Sequence, residues 1–231
     1  MKKFNYFLLF TLIVTAAVLL NSCIEFDRKI KINKDGSGSE QMRIDFGKDF
    51  FDLMISLRTI GDSTSRKSYT DSLYNDEYFI GDTKEKMKNV EGIHINKLYS
   101  ETNPDSSKSM YIDYDFDNIK LISQTGYTQD ENVKSKSKTI TNWFEKGDKI
   151  IFEMYIEPST DTTNESADSS YKNLMISFFE SKELKYEIEF PYDIESTNAW
   201  SYSGRKATWK FPMSDILKDE NILHLTAVIK K

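Results

Sequence analysis

The sequence predicts an α+β fold, mainly antiparallel β-sheet with a few helices packed on one face. Three observations lead there. Segments with period-two alternation outnumber segments with helical spacing. Most of the alternating segments come as local pairs across short turns and keep one polar face, as antiparallel strands do. The chain has no Gly-rich dinucleotide fingerprint and no apolar run of the kind a buried parallel strand needs.

Residues 24–33 alternate, with Ile24, Phe26, Ile30 and Ile32 on one face and Glu25, Asp27, Lys29 and Lys31 on the other. Met42, Ile44 and Phe46 continue the pattern over 39–46. The intervening Asn33-Lys34-Asp35-Gly36-Ser37-Gly38 reads as a hairpin turn. It lacks the alternating carboxylates of a calcium loop and the Gly-Lys-Ser/Thr of a phosphate loop. Phe50, Leu53, Met54 and Leu57 are spaced i, i+3, i+4 and i+7, which predicts a helix capped by Asp49. The hydroxyl-rich stretch 61–72 predicts a loop. Asp82-Thr83-Lys84-Glu85 has capping-box spacing, with Asp in place of Ser or Thr, and predicts a helix over 83–89. A strand follows, with Ile93, Ile95 and Tyr99 facing in.

After a Pro/Ser/Asp turn at 102–109, Met110, Ile112, Tyr114 and Phe116 alternate with Tyr111, Asp113 and Asp115. A helical turn at 117–122 and a loop at 123–137 come next. Residues 139–156 read as a hairpin turning at Lys146-Gly147-Asp148. Ile140 and Phe144 face in from one arm, and Ile150, Phe152, Met154 and Ile156 from the other. Residues 158–170 have almost nothing to bury and predict a mobile insertion. The flanks look incomplete alone, so it reads as a loop within one domain spanning 23–231. A helix over 171–180 follows. Leu184, Tyr186, Ile188 and Phe190 make a strand stopped by Pro191. Ala207, Trp209 and Phe211 make another, stopped by Pro212, and Leu223, Leu225, Ala227 and Ile229 make the last.

The first 22 residues concern address. Lys2 and Lys3 form a basic start, 7–20 is an apolar run, and Leu20-Asn21-Ser22-Cys23 follows, with Cys23 the only cysteine. This resembles a bacterial lipoprotein signal peptide, 1–22, with its lipobox. The apolar run is short for a membrane span, which needs about 20 residues. The resemblance implies cleavage before Cys23, a diacylglyceryl group on its Sγ and acylation of the new amine. The alternatives are an uncut signal anchor or a secreted protein with a free thiol. A lone cysteine in an exported chain invites intermolecular pairing, and lipidation removes that problem.

The chain carries 31 basic and 37 acidic side chains. Loss of Lys2 and Lys3 leaves 29 against 37, near −8. That balance disfavours nucleic acid, whose binding rests on phosphate neutralisation.

Catalytic chemistry has little to stand on. His94 and His224, the only histidines, each sit between two inward apolar residues and so point outward. No His-Glu-x-x-His or paired-cysteine spacing exists for zinc, and no Gly-x-Ser-x-Gly elbow for a serine nucleophile. Asp113, Asp115 and Asp117 fall on one strand face and are the best cation or sugar-cleaving candidates, although sugar-cleaving pockets usually draw their two carboxylates from separate elements. A solvated charge stripe, which costs nothing, is the better account of them. No catalytic, cofactor-binding or metal-binding residue is therefore assigned. Around the Ser203-Gly204 turn, Trp209 reads as core; Trp200 and Tyr202 are read first as core packing, and as the alternative they form with Arg205 a contact patch suited to a peptide, glycan or membrane surface.

Several of these pieces together resemble a family. Cys23 leads at once into Phe26–Ile32 and Asp35-Gly36-Ser37-Gly38. Toward the other end come Leu184–Phe190 with Pro191, Asn198-Ala199, Ser203-Gly204 and Ala207-Thr208-Trp209-Lys210-Phe211. The layout is similar to small bacterial lipoproteins related to the mycobacterial LppM-like group, although the 158–170 loop departs from it. The resemblance implies an extracytoplasmic α+β module, with lipid or glycolipid ligands proposed for some members. The Asn-, Lys-, Ser- and Tyr-rich style resembles outer-membrane lipoproteins of the Bacteroidota.

The expected function is a non-enzymatic, lipid-anchored envelope module that binds an envelope protein, glycan or lipid. Its membrane partner is reached through acyl groups on Cys23. The alternatives are a carrier holding a hydrophobic ligand between sheet and helices, and a hydrolase. The expected place is the outer membrane, facing the periplasm, with the cell surface as the alternative. Glu25 and Asp27, directly after the cysteine, are the acidic residues bearing on that choice.

Overall fold

The computed structural model describes residues 25–59, 64–125, 138–157, 168–180, 182–217 and 222–231. Cys23 and residues 158–167 of the expected insertion lie outside them. The fold is α+β, as expected, but its strands divide between two sheets.

The larger sheet has seven strands. The hairpin β1 (Glu25–Ile32) and β2 (Gly38–Phe46) is followed by the hairpin β3 (Ile93–Thr102) and β4 (Lys108–Phe116). Then come β7 (Glu183–Glu189), β9 (Ser201–Ser203) and β10 (Lys206–Pro212), in the spatial order β3-β4-β2-β1-β7-β10-β9. Within this sheet β1 and β7 pair in parallel and every other pairing is antiparallel. The smaller sheet has the order β5-β6-β11-β8, from Lys138–Lys146, Lys149–Glu157, Leu223–Lys230 and Ile194–Thr197.

One hydrophobic core joins them. The inward positions of the larger sheet, among them Ile30, Ile44, Ile112 and Ile188, pack in one cluster with Phe152, Leu225 and Ile229 of the smaller. Phe152 meets Phe190 edge-on, ring centroids 5.3 Å apart. Burial of each such side chain contributes about 1.5–3 kcal/mol. Asn198 ties the two sheets by hydrogen bonds. Its Oδ1 accepts from the buried Trp209 indole at 2.8 Å and from the Thr226 amide at 3.0 Å, and its Nδ2 donates to the His224 carbonyl at 2.7 Å. Trp209 is core, as its alternation predicted.

The helices are α1 (Lys48–Arg58), α2 (Arg66–Tyr74), α3 (Asp76–Lys88), α4 (Asp168–Phe179) and α5 (Met213–Leu217). Three of them meet on a phenylalanine cluster at the end of β2. Phe46 touches Phe50 and Phe51 of α1 and Phe79 of α3, and Phe50 touches Phe178 and Phe179 of α4.

Several sequence expectations are corrected. The stretch 61–72 is not all loop, because α2 begins at Arg66. This helix buries no residue, so it leaves no apolar stripe to read. Helix α1 is capped by Gly47 without a side-chain bond, and Asp49 lies in the first turn. Helix α3 starts well before 83. Asn75 caps it by accepting from the Tyr78 amide at 3.1 Å, which places Asp82 in the helix interior. On β5 the inward residues are Thr141 and Trp143, and Phe144 is exposed. Register decides this: Thr141 and Trp143 oppose the buried Met154 and Phe152, and opposed residues share a face. Strands β8 and β9 and helix α5 are too short to show a period in sequence.

Candidate functional site

The outer face of the larger sheet carries a groove of about 330 Å³ across the four strands β3, β4, β2 and β1. Its central feature comes from a β-bulge. The β3–β4 register shifts between Ile95 and Lys97, leaving Asn96 as the extra residue. Beyond the bulge the faces exchange: Ser100 is buried and Tyr99 points out. The expectation that Tyr99 faces in is therefore corrected. The bulge brings Tyr99 onto its cross-strand partner Tyr111, and the two rings stack with centroids 4.9 Å apart at 18°.

Charged groups surround this pair. The Arg43 guanidinium of β2 lies 5.4 Å from the centre of the Tyr111 ring, and its Nε is 2.8 Å from Asp45. Tyr111 donates to Glu101 at 3.1 Å. Desolvation pushes the Tyr111 phenol above its ordinary value, Glu101 adds to the effect and Arg43 opposes it. The ring thus stays a neutral donor at physiological pH. Lys29 of β1 and Lys97 of β3 also line the groove and make no ion pair among the described residues. Asp113 is engaged by two amides, Gln41 Nε2 at 3.2 Å and Asn96 Nδ2 at 3.3 Å.

The carboxylate stripe is otherwise occupied. Asn96 Nδ2 also donates to Asp115 at 3.0 Å, and Asp117 lies 3.1 Å from His94 Nε2. Among the described residues no three His, Cys, Asp or Glu side chains come together to hold a metal ion. His94 and His224 lie in different sheets. His224 stacks on Tyr155 at 4.3 Å and 9°, and its Nε2 is buried without a hydrogen bond.

The turn residues collect at the β9 edge. Trp200 is 69% exposed, with Lys210 Nζ 4.5 Å from its ring centre, and Tyr202 is 52% exposed. Tyr202 opposes Ala207 and so shares the inner side of the sheet. Arg205 reaches Glu189 at 3.3 Å, and Lys206 reaches the same carboxylate at 3.5 Å.

Sequence reading missed a polar row inside the core. Arg28 Nε contacts Glu40 at 2.5 Å, with side-chain exposures of 12% and 0%. Arg28 also donates to the Tyr186 hydroxyl at 3.0 Å, its guanidinium 4.9 Å from that ring. Tyr114 donates to the other Glu40 oxygen, and its hydroxyl lies 3.3 Å from that of Thr125. Burial pushes the Tyr186 phenol up, with Arg28 opposing. The row crosses β4, β2, β1 and β7. The signal was available: Arg28 falls in phase with Phe26 and Ile30, and Glu40 in phase with Met42 and Ile44.

No family model matches this chain, and no curated protein matches it. Among solved structures, the NMR structure of the folded domain of the Mycobacterium tuberculosis LppM protein is similar, with a TM-score of 0.45 and 11% identity over 90% of each chain.

Proposed function

We propose that this chain is a lipid-anchored, non-enzymatic binding module of the bacterial envelope, held by acyl groups on Cys23, with the outer face of the larger sheet as its working surface. The observation that supports it most is the placement of β1. The first described strand begins at Glu25, two positions after Cys23, so cleavage before Cys23 leaves every described strand intact. With one residue, Ile24, between the acylated cysteine and a central strand, the tether reaches at most about 7 Å. The larger sheet would stand close to the bilayer, in the outer membrane facing the periplasm, as one domain from 23 to 231. The groove on the outer face is open and lined mostly by charged and polar side chains, which suits a binding surface.

The test is metabolic labelling with a fatty acid in cells producing the wild type or Cys23→Ala. Label on the wild type, with an unlabelled, uncut Cys23→Ala precursor, supports the anchor. A processed, soluble Cys23→Ala protein of wild-type mass would sink it. Protease treatment of intact cells then separates the orientations: protection until the outer membrane is breached supports the periplasmic side, and digestion in intact cells the surface.

A further inference from the structure

We propose that the groove over Tyr99 and Tyr111 binds an acidic glycan, an oligosaccharide whose pyranose rings carry carboxylate or phosphate. This rests on the envelope-module reading for where the ligand is met, but not for the binding itself.

The charge pattern points to an anion. The mature chain is strongly acidic, near −8, so an average surface patch would repel a polyanion. The groove departs from that average. Lys29 and Lys97 enter it from opposite sides, from β1 and β3, and neither spends its charge on a carboxylate among the described residues. With Arg43 the lining carries three cations against two carboxylates, Asp27, which lies 3.6 Å from Lys185, and Asp113, which accepts from Gln41 and Asn96. Lys29 and Lys97 stand in register through Gln41 and Asp113, on strands roughly 14 Å apart, three inter-strand spacings. That span suits successive charged residues of a polymer better than one small anion.

The aromatic pair points to a sugar. The Tyr99 ring is 43% exposed, and stacking on Tyr111 fixes its orientation. A rigid, exposed ring costs little entropy on binding and offers a flat apolar surface to the C–H face of a pyranose. Gln41 and Asn96 beside it supply the planar amides that hydroxyl groups use. The bulge is the structural device that builds this. Without the extra residue at Asn96, Tyr99 would be buried and the groove would lose its ring.

The experiment is calorimetric titration of the purified mature protein in detergent with oligogalacturonate, a phosphorylated mannan oligosaccharide and neutral maltohexaose. Binding to one or both acidic probes, weakening as salt rises and absent for maltohexaose, is the expected result. The two acidic arms tell carboxylate from phosphate as the source of charge. The double variant Lys29→Gln/Lys97→Gln should bind roughly tenfold more weakly. Tyr99→Ala should lose about the same, and Lys84→Gln on α3 should match the wild type. All these positions are at the surface, and an unchanged melting temperature confirms that each variant is folded. Equal binding of maltohexaose, full displacement by inorganic phosphate, wild-type affinity in the double variant, or no binding of either acidic probe would each overturn the proposal. None of these outcomes depends on whether Cys23 is acylated in cells.

Discussion

Gly36 and Ser106 occupy the same position in two copies of one turn. In Asn33-Lys34-Asp35-Gly36-Ser37 and Asn103-Pro104-Asp105-Ser106-Ser107, the Asn backbone amide donates to the carbonyl of the last serine, Ser37 or Ser107, at 2.7 and 2.8 Å. In both, the Asp Oδ1 accepts from that serine's amide at 3.0 Å and from its hydroxyl. Gly36 has φ +83° and Ser106 has φ +67°, the only positive φ at a non-glycine among the described residues. The turns close the β1–β2 and β3–β4 hairpins.

Ser106→Gly should therefore stabilise the protein by about 1 kcal/mol, since a side chain in the left-handed region costs about 1–2 and glycine gives back part of that in unfolded-state entropy. Gly36→Ala should cost about 1 kcal/mol, because the added Cβ meets the Trp143 ring only at 3.6 Å and the penalty is in the backbone. Thermal unfolding should show the two variants moving in opposite directions by roughly 2–4 °C.

Glu40→Gln should destabilise by about 3 kcal/mol, because it leaves the Arg28 charge inside the sheet without its carboxylate. The double variant Arg28→Met/Glu40→Leu should lose less than the sum of its single changes, with a coupling of about 1–3 kcal/mol. Urea unfolding of the four proteins measures this directly. Additive losses would mean that the pair contributes nothing as a pair.

Lys108 is fully buried and holds the junction of α2 and α3, its Nζ 2.9 Å from Asp76 and 3.1 Å from the Tyr74 carbonyl. The Ser100 hydroxyl, first, and Lys108, second, keep the Asp76 carboxyl below its ordinary value. A lowered folded-state value stabilises above the ordinary value near 4 and loses that contribution as pH falls through the lowered one. Asp76→Asn should thus be less stable than the wild type at pH 7, by about 1–2 kcal/mol after allowance for the exposure of Asp76, with the difference closing below pH 4 or so. Acid titration of stability for both proteins checks the sign and the window.

Limited proteolysis should cut first within 158–170, where the sequence offers little to bury. The two pieces should stay together through a sizing column, because β1 pairs with β7 and β6 pairs with β11 across that segment. Separation into two folded fragments would contradict a single domain.

Much of the sheet was legible because inward positions alternate wherever a strand keeps one wet face. Met110, Ile112, Tyr114 and Phe116 were read correctly for that reason, as were Leu184 through Ile188. Reading failed where a polar residue stood in the apolar phase, as at Arg28 and Glu40, and where one extra residue changed the phase, as at Asn96. It also failed where a helix had no buried side, as in α2. The groove was out of reach because it needs the order β3-β4-β2-β1, and the inter-hairpin register that sets Gln41 beside Asp113 has no local signature. Lys29 and Lys97 looked like ordinary solvated charges until that order placed them across one surface.

The parallel pairing of β1 with β7 also bears on how such a chain is made. Arg28 and Tyr186 meet over a separation of 158 residues. Closing so long a loop is slow, and nothing local rewards it beforehand. A chain threaded through a membrane with its leader foremost would deliver β1 to the far side early and β7 only after most of its length had passed. The larger sheet would stay divided until then, its seven strands unable to join on either side of the membrane. In a chain exported that way, closure this late would keep the precursor slack during transport and delay the rigid state until arrival.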